Sequence, residues 1–258
     1  MKLHPKIRYL KDLDVAKSWN IMVYGKPNVG KTTFAATAPD ALFLAVENGL
    51  KSVADMPDLP VWPIETFQDL TEAYQYLRFE KHNFRSVVID SLSEVFYGPM
   101  TDHVLHETKR GANDDPELLS QRDYGRIGML VRDMIRAYRD LPLNTIVTAG
   151  EKSVDDEGRI VKGLHLSGQS RDSVPYQFDL IGWMYESSGG ARAESGTSTH
   201  HLMRIKGHEL TFSKSRIPFT WQSYLPTDVE DPTWDKLMYV MQEAQSQYAE
   251  AKKAAHSA

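Results

Sequence analysis

The chain has 258 residues, 41% hydrophobic and 25% charged, and carries a net charge of −5, the balance of an ordinary globular protein and not of a strongly basic nucleic-acid binder. It has no cysteine, which excludes disulfides, thiolate zinc sites and cysteine nucleophiles. No run approaches the ~18 apolar residues of a membrane span, and the start, MKLHP, lacks the apolar core of a secretory signal, so a cytoplasmic protein with no membrane partner is expected.

Residues 1–20 read as a short N-terminal extension. The apolar run IMVY at 21–24 then has the texture of a buried strand and leads into GKPNVGKT at 25–32, a full match to G-x-x-x-x-G-K-[ST]. Backbone N–H groups must curl around phosphate oxygens in such a loop. That demands glycine where a Cβ would block the approach or where φ must be positive. Gly25, Lys26, Pro27, Asn28, Val29, Gly30, Lys31, Thr32 and Thr33 are therefore the expected triphosphate-binding residues, with Lys31 as the point charge and the Thr32 hydroxyl as a Mg²⁺ ligand. Residues 33–38 can turn into a helix that stops at Pro39, so the order is strand, loop, helix.

Two further apolar runs end in acidic residues: LFLAV at 42–46 before Glu47, and SVVI at 86–89 before Asp90. Runs without alternation predict strands covered on both faces, as in a parallel sheet. The segment 66–81 between them places Phe67, Leu70, Ala73, Tyr74 and Leu77 on a helical period, with Thr66 or Thr71 near its start, which makes a βαβ crossover. Asp90 fits the acidic residue that helps hold Mg²⁺ at the end of a neighbouring strand. Glu47 follows the strand after the phosphate loop, where a carboxylate can deprotonate the attacking water; Glu94 is the competitor for that role. ATP and Mg²⁺ are the implied cofactors.

Residues 92–106 read as helix interrupted at Gly98-Pro99, and 108–116 as an exposed, mobile loop. Residues 118–141 predict a helix with Ile127, Leu130, Met134, Ala137 and Leu141 buried and Arg132, Arg136 and Arg139 along another face. A strand at 145–148 follows. Beyond it, 151–175 is a long loop or hairpin, and 178–185 with 200–206 form a β-hairpin at the sheet edge. The adjacent His200 and His201 point to opposite strand faces and are explained by packing and solvent. Asp231-Pro232 caps a last helix with Trp234, Leu237, Met238, Met241 and Ala244 on one face. The expected fold is α/β, a mainly parallel sheet flanked by helices with a C-terminal β-hairpin extension and a terminal helix. It divides into an extension at 1–20, an ATPase core at 21–225 and a helix with its tail at 226–258.

The ordered set GKPNVGKT, FLAVENG, VVIDS and FSKSRIPF resembles the RecA-type, AAA-type/RecA-core ATPases, more narrowly the phage nucleotide-binding proteins of the RecA-like single-strand annealing group, over residues 21–219. The resemblance implies a RecA-like P-loop core, Glu47 as catalytic base, and Lys214 and Arg216 as basic residues that reach a neighbouring protomer's γ-phosphate. It implies single-stranded DNA and self-association, in a filament or ring, as partners, with a single-strand binding protein or replisome component as a further one, in the host cytoplasm if phage-encoded. The family's DNA-binding loops correspond to Lys109 and Arg110, and to 152–171 with Lys152, Arg159, Lys162, His165 and Arg171. Ala149-Gly150 stands where RecA has a γ-phosphate-sensing glutamine, so sensing is expected to be absent or rebuilt through Glu151 or Lys152. The short N-terminal extension favours annealing over strand exchange. Two other readings are a helicase loader acting through a protein partner and a kinase; the absence of Asn-Lys-x-Asp argues against a GTPase.

Overall fold

Three strands at the heart of the sheet are buried along their whole length, and that burial requires helices on both faces. The computed structural model describes residues 18–46, 49–107, 118–156, 158–188, 199–207, 211 and 213–257. In chain order β1 (Asn20–Gly25) leads to α1 (Lys31–Ala36), β2 (Ala41–Ala45), β3 (Val61–Pro63), α2 (Phe67–Phe79) and β4 (Ser86–Asp90). There follow α3 (Leu92–Tyr97), α4 (Pro99–Asp102), α5 (Gln121–Arg139), β5 (Asn144–Asp156) and β6 (Arg159–Leu164). The rest is α6 (Gln169–Ser173), β7 (Leu180–Ser188), β8 (Thr199–Arg204), β9 (Lys214–Ser215), α7 (Phe219–Gln222), β10 (Asp228–Glu230) and α8 (Trp234–Ser257).

The strands hydrogen-bond in the order β10-β8-β7-β1-β5-β4-β2-β3, with β6 on β5 and β9 on β7. β7, β1, β5, β4, β2 and β3 run parallel, while β6, β8, β9 and β10 pair antiparallel, so the sheet is mixed but mainly parallel. Side chains alternate between two cores, as a two-residue period requires. Met22, Tyr24, Leu44 and Ile89 face α2, α3 and α5. Ile21, Val23, Phe43 and Val88 face Phe34 of α1 and Trp234 and Leu237 of α8.

Reciprocal caps start the two long helices on the first face. Thr66 accepts from the Asp69 N–H and Asp69 answers to the Thr66 N–H, and Ser120 and Asp123 do the same for α5. The Thr66 backbone N–H, with that of Glu65, holds the Asp69 carboxyl below its ordinary range. Helix α3 stops at Gly98 and α4 restarts at Pro99, where proline costs no hydrogen bond.

Several sequence expectations change. The buried stripe of α5 is Ile127, Val131, Met134, Ile135 and Tyr138, whereas Leu130 and Ala137 lie half exposed at its flanks. The strand expected at 145–148 continues to Asp156 and turns back as β6, so Ala149 and Gly150 lie inside it. β7 and β8 pair antiparallel, but β7 is interior, seated on β1, and β10 forms the edge. Arg204 of β8 anchors that edge by forking onto Asp228, at 3.0 and 3.2 Å. Residues 108–116, expected as a mobile loop, lie outside the described residues.

Among the described residues, no helix is long and apolar enough to cross a membrane. Between α5 and α2, the buried Tyr138 hydroxyl donates to the Leu70 carbonyl at 2.7 Å, and burial pushes its pKa up. Tyr138→Phe removes that bond from a dry interface. It should lower stability by about 1 kcal/mol, a fall of about 2–4 °C in Tm on thermal unfolding; an unchanged Tm would contradict the bond's contribution.

Candidate active site

The loop at 26–30 sits where β1 hands over to α1, and its shape depends on two glycines. A Cβ on Gly25 would stand 2.2 Å from the Met184 carbonyl oxygen on β7, a separation that no packing allows. Gly30 has φ 87°, and Asn28 is left-handed too, at φ 66°. Gly30 caps α1 without a side-chain bond, which leaves the first N–H groups of that turn unclaimed by any capping side chain. Lys31 Nζ folds back over the loop, donating to the Gly25 carbonyl at 3.1 Å and the Lys26 carbonyl at 2.7 Å.

Asp90 ends β4, which is not a neighbour of β1: β5 lies between them. The sequence expectation of a neighbouring strand is corrected accordingly, and a side chain of β5 fills the gap. Thr32 Oγ1 donates to Asp90 Oδ2 at 2.8 Å, while Thr148 Oγ1, from β5, donates to Asp90 Oδ1. Asp90 is 7% exposed, and the two hydroxyls fix its carboxylate in orientation beside the phosphate loop. Asp90 also precedes a cis peptide bond to Ser91, whose hydroxyl caps α3 at the Glu94 N–H. Capping and carboxylate chemistry thus fall to adjacent residues.

A cavity of about 510 Å³ opens over these groups, lined by Asn28, Lys31, Thr32, Thr33, Asp90, Glu94, Glu151, His165 and His201 among others. The donor set suits Mg²⁺, a hard cation that takes one or two protein oxygens and completes its shell with water and phosphate: Thr32 Oγ1 and the Asp90 carboxylate stand together at one end. A larger cavity, about 740 Å³, lies between β10 and α8, lined by Asp228, Glu230, Asp235, Lys236 and Glu243 among others. The glycine-shaped loop and Lys31 that a phosphate chain needs line the smaller cavity and not the larger.

The other expected residues are placed unevenly. Glu47 lies outside the described residues, as do Lys109 and Arg110. Glu94 lines the cavity from the first turn of α3. Lys214 and Arg216 are not brought to the phosphate loop of their own chain. β9 pairs with Leu180 and Ile181 at the start of β7, whereas the loop leaves β1 beside Met184 at the opposite end of the sheet. Lys214 Nζ donates to the Pro175 carbonyl at 2.9 Å, and burial, aided by nearby Arg216, lowers its pKa. Arg216 pairs with Asp179 at 3.3 Å and donates to the Tyr176 carbonyl.

Of the candidate DNA-binding residues, Lys152 and Arg159 share one face of the β5–β6 hairpin, because their register partners are Gly163 and Asp156. Lys162 belongs to the other face, where it bonds Ser153 Oγ at 2.9 Å and pairs with Glu151 at 3.4 Å. Arg171, on α6, pairs with Asp172 at 3.2 Å. The four thus stand as a pair on one face of the hairpin and two separately paired cations.

Sequence reasoning missed Thr148, Ser93 and His201. Ser93 Oγ accepts from the Gly150 N–H at 2.9 Å and donates to the His165 carbonyl at 3.0 Å, which binds α3, β5 and the segment after β6 together at the cavity floor. Hydroxyls of this kind have no motif, and only strand order reveals their neighbours. Glu151, named only as a replacement sensor, is a cavity residue with a largely covered side chain whose carboxylate accepts from Trp183 Nε1 at 2.9 Å.

A family model described as an AAA domain matches residues 17–217, most of the chain. No curated protein matches it.

Thr148→Val keeps the shape of the site but removes a donor from the buried Asp90 carboxylate. The expected loss is about 1.5–3 kcal/mol of stability without nucleotide, measured by chemical denaturation; a midpoint equal to that of the unaltered protein would show that Thr148 does not hold Asp90.

Proposed function

The chain belongs to the AAA domain family of P-loop ATPases, and from that premise we propose that it is a Mg²⁺-dependent ATPase of RecA type that oligomerises with single-stranded DNA and promotes phage recombination or strand annealing. The observation that carries the ATPase reading is the Thr32–Asp90–Thr148 contact beside the glycine-shaped loop. When bound there, Mg²⁺ would neutralise phosphate charge and be held by Thr32 and Asp90. Lys31 exchanges the loop carbonyls for phosphate oxygens. Glu47 takes the proton of the attacking water, with Glu94 on the cavity wall as its alternative.

Hydrolysis between protomers is supported by position. Lys214 and Arg216 stand at the end of β7 remote from their own loop, so if they meet a γ-phosphate it is a neighbour's. The half-exposed Arg216 side chain is open to such a contact. Lys152 and Arg159 on the hairpin, with Lys109 and Arg110, are the proposed contacts to single-stranded DNA, which would attract them through its phosphates.

One observation favours a helicase loader or replication-assembly ATPase as the second reading. The cavity beside α8 is rimmed by acids and lined by Tyr224 and Tyr239, a surface suited to protein rather than DNA. Trp234 of α8 is 6% exposed and packs on its own domain, so a partner contact would fall to those tyrosines.

Complementation tests the shared site. Lys31→Ala and Lys214→Ala should each lower ATP turnover at least tenfold alone, with nucleotide binding retained only by Lys214→Ala. Mixing them should restore activity at interfaces where an intact Lys214 meets an intact Lys31. Turnover per protomer should rise with protein concentration and with single-stranded DNA. Absence of both complementation and DNA stimulation would sink the RecA-type reading while leaving the ATPase.

A further inference from the structure

His165 directly follows β6, at the root of the β5–β6 hairpin, and this exposed residue lines the nucleotide cavity. Three contacts hold it there. Its N–H donates to the Gly150 carbonyl at 2.9 Å, its carbonyl accepts from Ser93 Oγ at 3.0 Å, and its ring lies against Tyr97 of α3 with centroids 5.0 Å apart. The glycine makes the room: a Cβ on Gly150 would stand 3.2 Å from His165 Cβ and 3.4 Å from its Nδ1. Neither ring nitrogen bonds a described residue, and an imidazole offers an N–H donor in either neutral tautomer as in the cation.

The place of a γ-phosphate follows from the metal. Mg²⁺ at a phosphate loop bridges β- and γ-phosphate oxygens, and the oxygens that suit it here are Thr32 Oγ1 and the Asp90 carboxylate. A γ-phosphate therefore lies at the Asp90 end of the loop. His165 is tied to that end twice: Ser93, bonded to its carbonyl, follows Asp90 in the first turn of α3, and Gly150, bonded to its N–H, follows on β5 the Thr148 that donates to Asp90.

Charge asks for a donor at this point. Asp90, Glu94 and Glu151 all line the cavity and would repel a γ-phosphate. On the wall outside the loop, the hydroxyls of Ser52 and Ser93 already donate, to the Gly49 and His165 carbonyls, and His201 Nδ1 is closed to solvent. His165 brings an open ring to the same wall.

Resting on the reading of 25–32 as an ATP site, we propose that His165 donates a ring N–H to the γ-phosphate of bound ATP, so that the site tells ATP from ADP. The histidine is a specificity residue and takes no proton during transfer of the phosphoryl group.

The test is displacement of a fluorescent ADP analogue from the full chain in Mg²⁺, by a non-hydrolysable ATP analogue and by ADP. His165→Ala should weaken the ATP analogue about tenfold, the worth of a hydrogen bond to a charged group, with ADP competing as in the unaltered protein. His165→Phe keeps a ring to lie against Tyr97 but has no donor; it should show the same selective loss, and it carries the comparison if the alanine variant does not fold. His165→Gln, whose amide can donate, should recover part of the loss. Equal losses for the two nucleotides would leave the ring a purely structural role and overturn the proposal, as would unchanged affinity for the ATP analogue in the alanine and phenylalanine variants. Failure of the unaltered protein to bind either nucleotide, or full binding by Lys31→Ala, would instead overturn the ATP-site reading and this proposal with it.

Discussion

A single buried carboxylate ties the site to the fold. Asp90 takes one hydroxyl from the phosphate-loop helix and another from the strand that separates that loop from its own. A charge in so dry a place is tolerable only when its hydrogen bonds are met. Three elements distant in sequence, α1, β4 and β5, must therefore be in register before the carboxylate is satisfied. Folding of the parallel sheet and assembly of the metal end of the site are thus one event, and the residue that would hold Mg²⁺ also reports that the strands are correctly ordered.

Much of this architecture is legible in the residues. Unbroken apolar runs at 21–24, 42–46 and 86–89 become buried parallel strands because only a strand with both faces covered can hold such runs, and GKPNVGKT forms the loop between the first of them and its helix. Gly98-Pro99 divides two helices as proline geometry dictates. What the sequence conceals is lateral order. Nothing in VVID says that TIVT will lie between it and IMVY, so Thr148 carries no signal until the order is known. The helical phase of α5 slipped for a related reason: Tyr138 reads as amphipathic, yet its hydroxyl has a buried carbonyl to meet, and it outranks Ala137 for the core. His201, read as strand packing and solvent, is a cavity residue because the strand order sets β8 two strands from β1 and its ring beside Gly30.

Charge is distributed with a corresponding logic. Acidic side chains line both cavities, Asp90, Glu94 and Glu151 around the one at the phosphate loop and Glu230, Asp235 and Glu243 beside Lys236 around the one between β10 and α8, while the cations of the hairpin and of β9 stand at separate points of the sheet. Lys214 and Arg216 are already held by backbone carbonyls and by Asp179. Any new anion must compete with those bonds, which sets a threshold on how well placed it has to be.

β5 runs unbroken for 13 residues, from the foot of the sheet at Asn144, past the Asp90 contact at Thr148 and the cavity wall at Glu151, to the turn at Asp156. At about 3.3 Å per residue it is a rod of roughly 40 Å. Its lower half is clamped by β1 and β4; its upper half pairs with β6 and is tied back at its base, where Trp183 bonds Glu151 and Tyr24 bonds the Lys162 carbonyl. Such a rod is a cantilever. A small tilt where it leaves the clamp, beside Gly150 and Glu151, becomes a larger sweep at the free tip. The length of hairpin that projects past the sheet is therefore set by where the neighbouring strands stop.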